Sequence, residues 1–266
     1  MKANIEIGEL CCAVEAGNSV LLEDLKFRYK SFISIKEPKL TINIEQIKQV
    51  NHKIDETYPE VKSLNGSSVF NFKWAGMCGE INLEEGKAWV KGAINFYSFD
   101  SFLRIVYSLL AVEAGGFLVH SVGIIKDGKG YIFAGPSGSG KTTIAKLSSN
   151  YKILSDEIMI IKATTNGFDG IGTPFYGEIE SGQNLQAKIE KLFILKRRTN
   201  GFHRLKLSQS EAISNLLKNV LFFTQEIKLN KRLIELCSAF CCKTECEEIS
   251  FIPNNMFWGW IDDRGR

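Results

Sequence analysis

Eight consecutive residues, Gly135-Pro136-Ser137-Gly138-Ser139-Gly140-Lys141-Thr142, satisfy the pattern G-x-x-x-x-G-K-[ST] at every fixed position. Glycines at these spacings let the backbone curl so that its N–H groups point inward and hold a β-phosphate. A lysine in the seventh place reaches the β- and γ-oxygens, and the hydroxyl that follows is a ligand for Mg²⁺. The expected nucleotide site is therefore Gly135, Pro136, Ser137, Gly138, Ser139, Gly140, Lys141 and Thr142, with Thr143 beside them, and the expected cofactors are ATP and Mg²⁺. Lys141 doubles as a stabiliser of charge on a transferred phosphoryl group.

Thirteen residues further on, Ser155-Asp156-Glu157 places two carboxylates inside a stretch that otherwise reads as strand. Adjacent acids are poorly placed in a sheet unless the strand breaks at a polar site. Close to a phosphate loop, they suit a magnesium-bridged site in which one acid takes a proton and the other holds metal. His120 lies between apolar residues in Leu118-Val119-His120-Ser121-Val122, one strand before the loop. A histidine in that setting serves either as a satisfied core residue or as a partner of the acids. Arg204 and the run Lys196 to Arg198 offer positive charge for a phosphoryl group, or simply a solvated surface.

The elements that must position these groups follow from periodicity. Tyr131 to Ala134 is an apolar strand running into the glycine loop, and Thr142 to Ser149 is a helix leaving it. Before them, a hairpin turn at Lys126 to Gly130 joins a strand from Phe117 to Ile125. After them come strands at Ile153-Leu154, Ile158 to Ile161 and Ala187 to Lys196, then helices at Gln209 to Phe222 and Ile227 to Phe240. A helix from Ser98 to Ala114, capped by Ser98 or Asp100, precedes the whole set and stops at Gly115-Gly116. Residues 1–95 read as a strand-rich module with a short helix at Leu21 to Tyr29. The expected division is thus 1–95, a module for packing or substrate recognition, and 96–266, the nucleotide-binding domain.

Composition narrows the classes. At 44% hydrophobic and 24% charged, the 266-residue chain has the balance of a globular protein and is long enough to bury a core without disulfide or metal staples. A net charge of +3, with lysines spread along the sequence, does not suggest a nucleic-acid partner. No run approaches the apolar length of a membrane span, and the first residues lack a secretory core, so a cytoplasmic protein is expected. Seven cysteines fit reduced thiols. Four of them, Cys237, Cys241, Cys242 and Cys246, are spaced for a half-buried helix as well as for a zinc site, and buried thiols are the simpler expectation.

The run Leu118 to Gly123, the loop 135–142 and Leu154-Ser155-Asp156-Glu157 resemble the HPr kinase/phosphorylase superfamily. More closely, the chain resembles HPr-kinase-like proteins found with peptide-modification genes, including kinases of lasso-peptide precursors. Gly172 to Glu178, His203-Arg204-Leu205 and Phe257 to Ile261 belong to the same likeness. The resemblance implies an α/β fold with a P-loop kinase core of the HPr kinase/phosphoenolpyruvate carboxykinase type beside the strand-rich N-terminal module. It implies that Asp156 is the base, that His120 orients it and that Glu157 helps Thr142 hold metal. It also implies that the acceptor is a serine hydroxyl of a peptide or protein, and it allows an oligomer. A free amino acid or other small molecule as acceptor, or nucleotide binding without transfer, are the alternatives. Two departures stand out: no second glycine-rich signature follows Gly172, and Glu157 stands where many relatives carry aspartate.

Overall fold

A computed structural model of the chain describes residues 1–47, 58–64, 66, 68–179, 183–197 and 201–263. The fold is mixed α/β and divides into two compact units, Met1–Ala114 with Phe222–Arg232, and Gly115–Leu221 with Leu233–Arg266.

The first unit is built on a seven-stranded sheet. Its strands are β1 Lys2–Ile7, β2 Leu10–Ala16, β3 Leu40–Gln46, β4 Glu60–Ser63, β5 Val69–Trp74, β6 Met77–Asn82 and β7 Lys87–Gly92, with helices α1 Ser19–Arg28 and α2 Phe96–Glu113. The spatial order is β1-β2-β3-β7-β6-β5-β4. Alternation sets the buried face: Phe70 and Phe72 of β5 are buried while Asn71 and Lys73 are exposed. Helix α2 covers that face, with the Phe102 ring tilted against Phe72 at 4.8 Å between ring centres. The Tyr107 hydroxyl of α2 donates to the Ile5 and Leu10 carbonyls at 3.0 Å each. These contacts group α2 with the first unit, so the compact division falls at 114/115 whereas the sequence reading put it at 95/96. The cap of α2 also differs from expectation. Asn95 is the N-cap, and its backbone N–H donates to the Ser98 hydroxyl in a capping box. Asp100 is instead buried one turn inside, where it accepts from the Tyr29 hydroxyl at 3.0 Å and pairs with Arg28 and Arg104.

The second unit contains β8 Gly116–Lys126, β9 Lys129–Ala134, α3 Lys141–Leu147, β10 Lys152–Ser155, β11 Ile158–Thr164, β12 Gly167–Ile171, β13 Gln186–Leu195, β14 His203–Lys206, α4 Gln209–Leu217, β15 Val220–Leu221, the main part of α5 Ile227–Lys243, β16 Glu245–Ser250 and α6 Phe257–Asp262. The helix expected from Gln209 to Phe222 ends at Leu217, because Val220 and Leu221 pair with Val119 and Leu118 as a short strand. Three of the four clustered cysteines lie on α5, but Cys246 lies on β16, where its register opposite Leu192 belongs to the sheet. Strands β9, β13 and β16 run parallel, with Ala134 opposite Ile194 and Leu195 opposite Ile249, so their carboxyl ends finish side by side.

Helices α3 and α6 cover one face of these strands. Ile144 and Ala145 of α3 and Phe257, Trp258 and Ile261 of α6 share a core with Phe133, Phe193 and Leu195. The Trp258 indole N–H donates to the Ser148 hydroxyl at 3.0 Å, tying α6 to the end of α3. Arg204 spans Glu247 and the Ile261 and Asp263 carbonyls, so its charge holds the end of α6 in place. Trp258→Ala removes both the ring and the indole donor. It is expected to cost about 3–5 kcal/mol in urea unfolding, whereas a loss under about 1 kcal/mol would contradict this packing.

Candidate active site

Strand β8 exchanges partners on both of its edges at Ser121. Along one edge, β11 pairs from Lys162↔Gly116 to Ile158↔His120, and β10 resumes at Ser155↔Gly123. Asp156 and Glu157 fill the break between them. Along the other edge, β15 pairs at Val119 and β9 begins at Ser121↔Ala134. Gly135 is the next residue after Ala134, so the glycine loop leaves one edge at the same level at which the acid pair interrupts the other. Backbone hydrogen bonds fix the exchange: Ser121 N–H donates to the Glu157 carbonyl at 2.9 Å, and His120 N–H to the Asn219 carbonyl at 2.7 Å. The Ser155 hydroxyl accepts from the Glu157 and Ile158 amides and shapes the break from within.

The loop requires its glycines. Gly138 and Gly140 hold φ of 74° and 106°, in the left-handed region that side chains rarely adopt. A Cβ on Gly135 would lie 2.8 Å from the Ser139 hydroxyl and 3.0 Å from Leu195. Pro136, Ser137 and Gly138 are exposed at the tip, whereas Ser139 and Lys141 are buried. Helix α3 begins at Lys141, one residue before the expected start. The Lys141 ammonium donates to the Gly135 carbonyl at 2.6 Å and the Pro136 carbonyl at 3.1 Å, spanning the loop from inside. Burial holds this lysine below its ordinary pKa, and the Glu157 carboxylate opposes that shift, so the two charges act on the same space. Thr142 and Thr143 follow on the first turn of α3, both half-buried.

Asp156 is buried, and a buried carboxylate needs hydrogen-bond donors. It receives the Gly177 N–H at 2.9 Å and the Ile179 N–H at 2.8 Å, one on each oxygen. The segment that supplies them is held to β11: Thr173 donates its hydroxyl to the Ile158 carbonyl, and Ile158 N–H donates to the Phe175 carbonyl. A Cβ on Gly177 would sit 3.3 Å from a carboxylate oxygen of both Asp156 and Glu157, so this glycine lies between the acids. Nothing in the periodicity of Gly172 to Glu178 pointed to that role, and the stretch entered the sequence analysis only through the family resemblance. Gly172 is required as well, since a Cβ there would meet the Gln183 and Leu154 carbonyls.

The residues present fit a nucleotide–magnesium pair. The Ser139 hydroxyl is buried beside Gly135 with no hydrogen-bond partner among the described residues. Thr142 and Glu157 supply oxygen donors. Among the described residues no group of three His, Cys, Asp or Glu could hold a metal alone, and Mg²⁺ held through phosphates needs only one or two protein oxygens. Of the basic residues considered in the sequence, Arg204 is committed to Glu247 and α6, and Lys196 pairs with Glu248 at 3.5 Å. Arg198 lies outside the described residues.

The model of the SynChlorMet cassette protein ScmC family matches residues 87–235, more than half of the chain, and that span holds His120, the glycine loop and the acid pair. No curated protein matches. Among solved structures, the Hpr(Ser) kinase/phosphatase from Coxiella burnetii is 12% identical over 54% of this chain and 90% of its own, with a TM-score of 0.28. A superposition that loose carries no argument. Among the described residues no helix is long and apolar enough to cross a membrane.

Replacing Asp156 by asparagine turns one accepting oxygen into an NH₂ group facing a backbone N–H. The expected cost is about 1–3 kcal/mol in urea unfolding. Unchanged stability would show that the Gly177 and Ile179 amides do not bind this side chain.

Proposed function

We propose that this chain, which belongs to the SynChlorMet cassette protein ScmC family, is a kinase that uses ATP and Mg²⁺ to phosphorylate a hydroxyl, the serine of a peptide or protein. The observation that carries the reading is the break opposite Ser121, where the phosphate loop and two carboxylates meet across a single strand.

The loop amides from Gly138 to Thr142 bind the β-phosphate, and Lys141 turns from the Gly135 and Pro136 carbonyls to the β- and γ-oxygens. Thr142 and Glu157 would hold Mg²⁺, which would neutralise charge on the phosphates. Asp156 accepts the proton of the acceptor hydroxyl as its oxygen bonds to the γ-phosphorus. The bond from that phosphorus to the bridging oxygen breaks, and its electron pair leaves with ADP. His120, backbone-paired beside Glu157, orients the acid pair. Since the reaction asks little covalent chemistry of the protein, its rate rests on position and on charge placed in advance. Gly177 suits this role, because a side chain there would crowd both acids.

Binding without transfer has one observation in its favour: both Asp156 oxygens already accept backbone amides, which leaves each a single free lone-pair direction. The test is incubation with Mg-ATP of serine-containing peptides and, separately, of free amino acids, read by mass spectrometry for added phosphate. Phosphopeptide is expected from the wild type, with the rate lowered at least about 100-fold in Lys141→Ala. Product among the amino acids alone moves the acceptor to a small molecule. Bound nucleotide with no product from either mixture leaves the binding reading in place and overturns the kinase.

A further inference from the structure

Beside the loop, at the carboxyl ends of β13 and β16, lies a cavity of about 250 Å³ lined by Lys196, His203, Arg204, Leu205, Glu248, Ile249 and Ser250. In sheets of this kind, ligands bind beyond the carboxyl ends of parallel strands. The spacing is informative. Strand β16 is the second neighbour of β9, so at about 4.8 Å per strand its end lies roughly 10 Å from the point where the glycine loop begins. That is the distance that a ribose and an α-phosphate cover between a base and the β-phosphate. Phe251, which follows Ser250, stands against the loop beside this interval: its ring would lie 3.0 Å from a Cβ on Gly140. A half-buried aromatic ring thus stands against the phosphate loop one residue beyond the cavity lining.

The lining indicates what the cavity takes. Its cations are already matched, Lys196 with Glu248 and Arg204 with Glu247, so a second phosphate would find no uncompensated charge. What remains is a neutral surface with hydrogen-bonding capacity. The Ser250 hydroxyl is 2% exposed and has no partner among the described residues, a costly arrangement for a native hydroxyl without a ligand. Leu205 supplies an apolar wall at the rim, and Ile249 turns its side chain into the core beneath α3 and α6. At 250 Å³ the space is below the range that drug-sized ligands occupy and suits one flat ring system.

We infer that this cavity is the nucleobase subsite of the bound nucleotide, with Ser250 hydrogen-bonded to the base and Phe251 packed against the nucleoside. The inference rests on the phosphate-loop reading above and adds to it a determinant of nucleotide affinity.

Calorimetric titration with Mg-ATP and with Mg-tripolyphosphate, which has the phosphates and no base, tests it. Leu205, 58% exposed at the rim, can be enlarged without burying new surface. Leu205→Trp is expected to weaken Mg-ATP at least about tenfold and to leave tripolyphosphate within about twofold. Ser250→Ala should weaken Mg-ATP about fivefold, the worth of one hydrogen bond. If both ligands bind the wild type and neither variant separates them, the subsite is overturned and the phosphate loop stands. If the wild type binds neither ligand, or Lys141→Ala binds both as the wild type does, the phosphate-loop reading fails and takes the subsite with it. Photolabelling of the wild type with 8-azido-ATP needs no variant to fold: label on peptides holding 196–205 or 248–251 supports the subsite, and label confined elsewhere overturns it.

Discussion

Strand β8 has different neighbours on either side of Ser121, and the candidate site exists because both of its edges change hands at that residue. A continuous strand on either edge would leave no place for a loop or for two carboxylates. The Ser121 amide reaches the Glu157 carbonyl while Ser121 itself lies opposite Ala134, so one residue sets the level of the acids and of the phosphate loop together. Backbone pairing at about 4.8 Å between strands keeps that level closely, without relying on side-chain conformations.

Charge is held on the same principle. Asp156 is buried and oriented by two amides of a segment anchored to β11, and Lys141 is buried against carbonyls of its own loop. Each group is paired with fixed dipoles instead of water, the kind of charge placement that the proposed transfer would draw on. The guanidinium of Arg204 serves stability, packed between the Phe193 and Trp260 rings while it grips the end of α6. That helix in turn bears on α3 through Trp258, so the base of the phosphate loop is supported from the far end of the chain.

Much of this was legible in the sequence. The glycine loop was readable because its spacing is dictated by backbone geometry that few other residues allow, and the strand and the helix around it showed their own periods. The acid pair stood out as two charges where a strand should be apolar, and the structure has a break between β10 and β11 at that point. The position of Gly177 was hidden, since the two carboxylates it separates lie about twenty residues away in the chain. The cap of α2 was misplaced for a local reason: Ser98 is part of the cap, but as the third-position partner of Asn95. The short strand at Val220 was read as helix because two residues carry no period, and only their register with β8 reveals them. The cavity beside Ser250 could not be foreseen, because its walls bring residues 196–205 against residues 248–250.

The most direct measurement is a crystal structure of the chain with Mg²⁺ and a non-hydrolysable ATP analogue. The β-phosphate is expected within hydrogen-bond distance of the amides from Gly138 to Thr142. The metal is expected on the Thr142 hydroxyl and facing Glu157, with the γ-phosphate between Lys141 and Asp156. A nucleotide bound away from the loop, or a γ-phosphate turned from the break opposite Ser121, would contradict that arrangement.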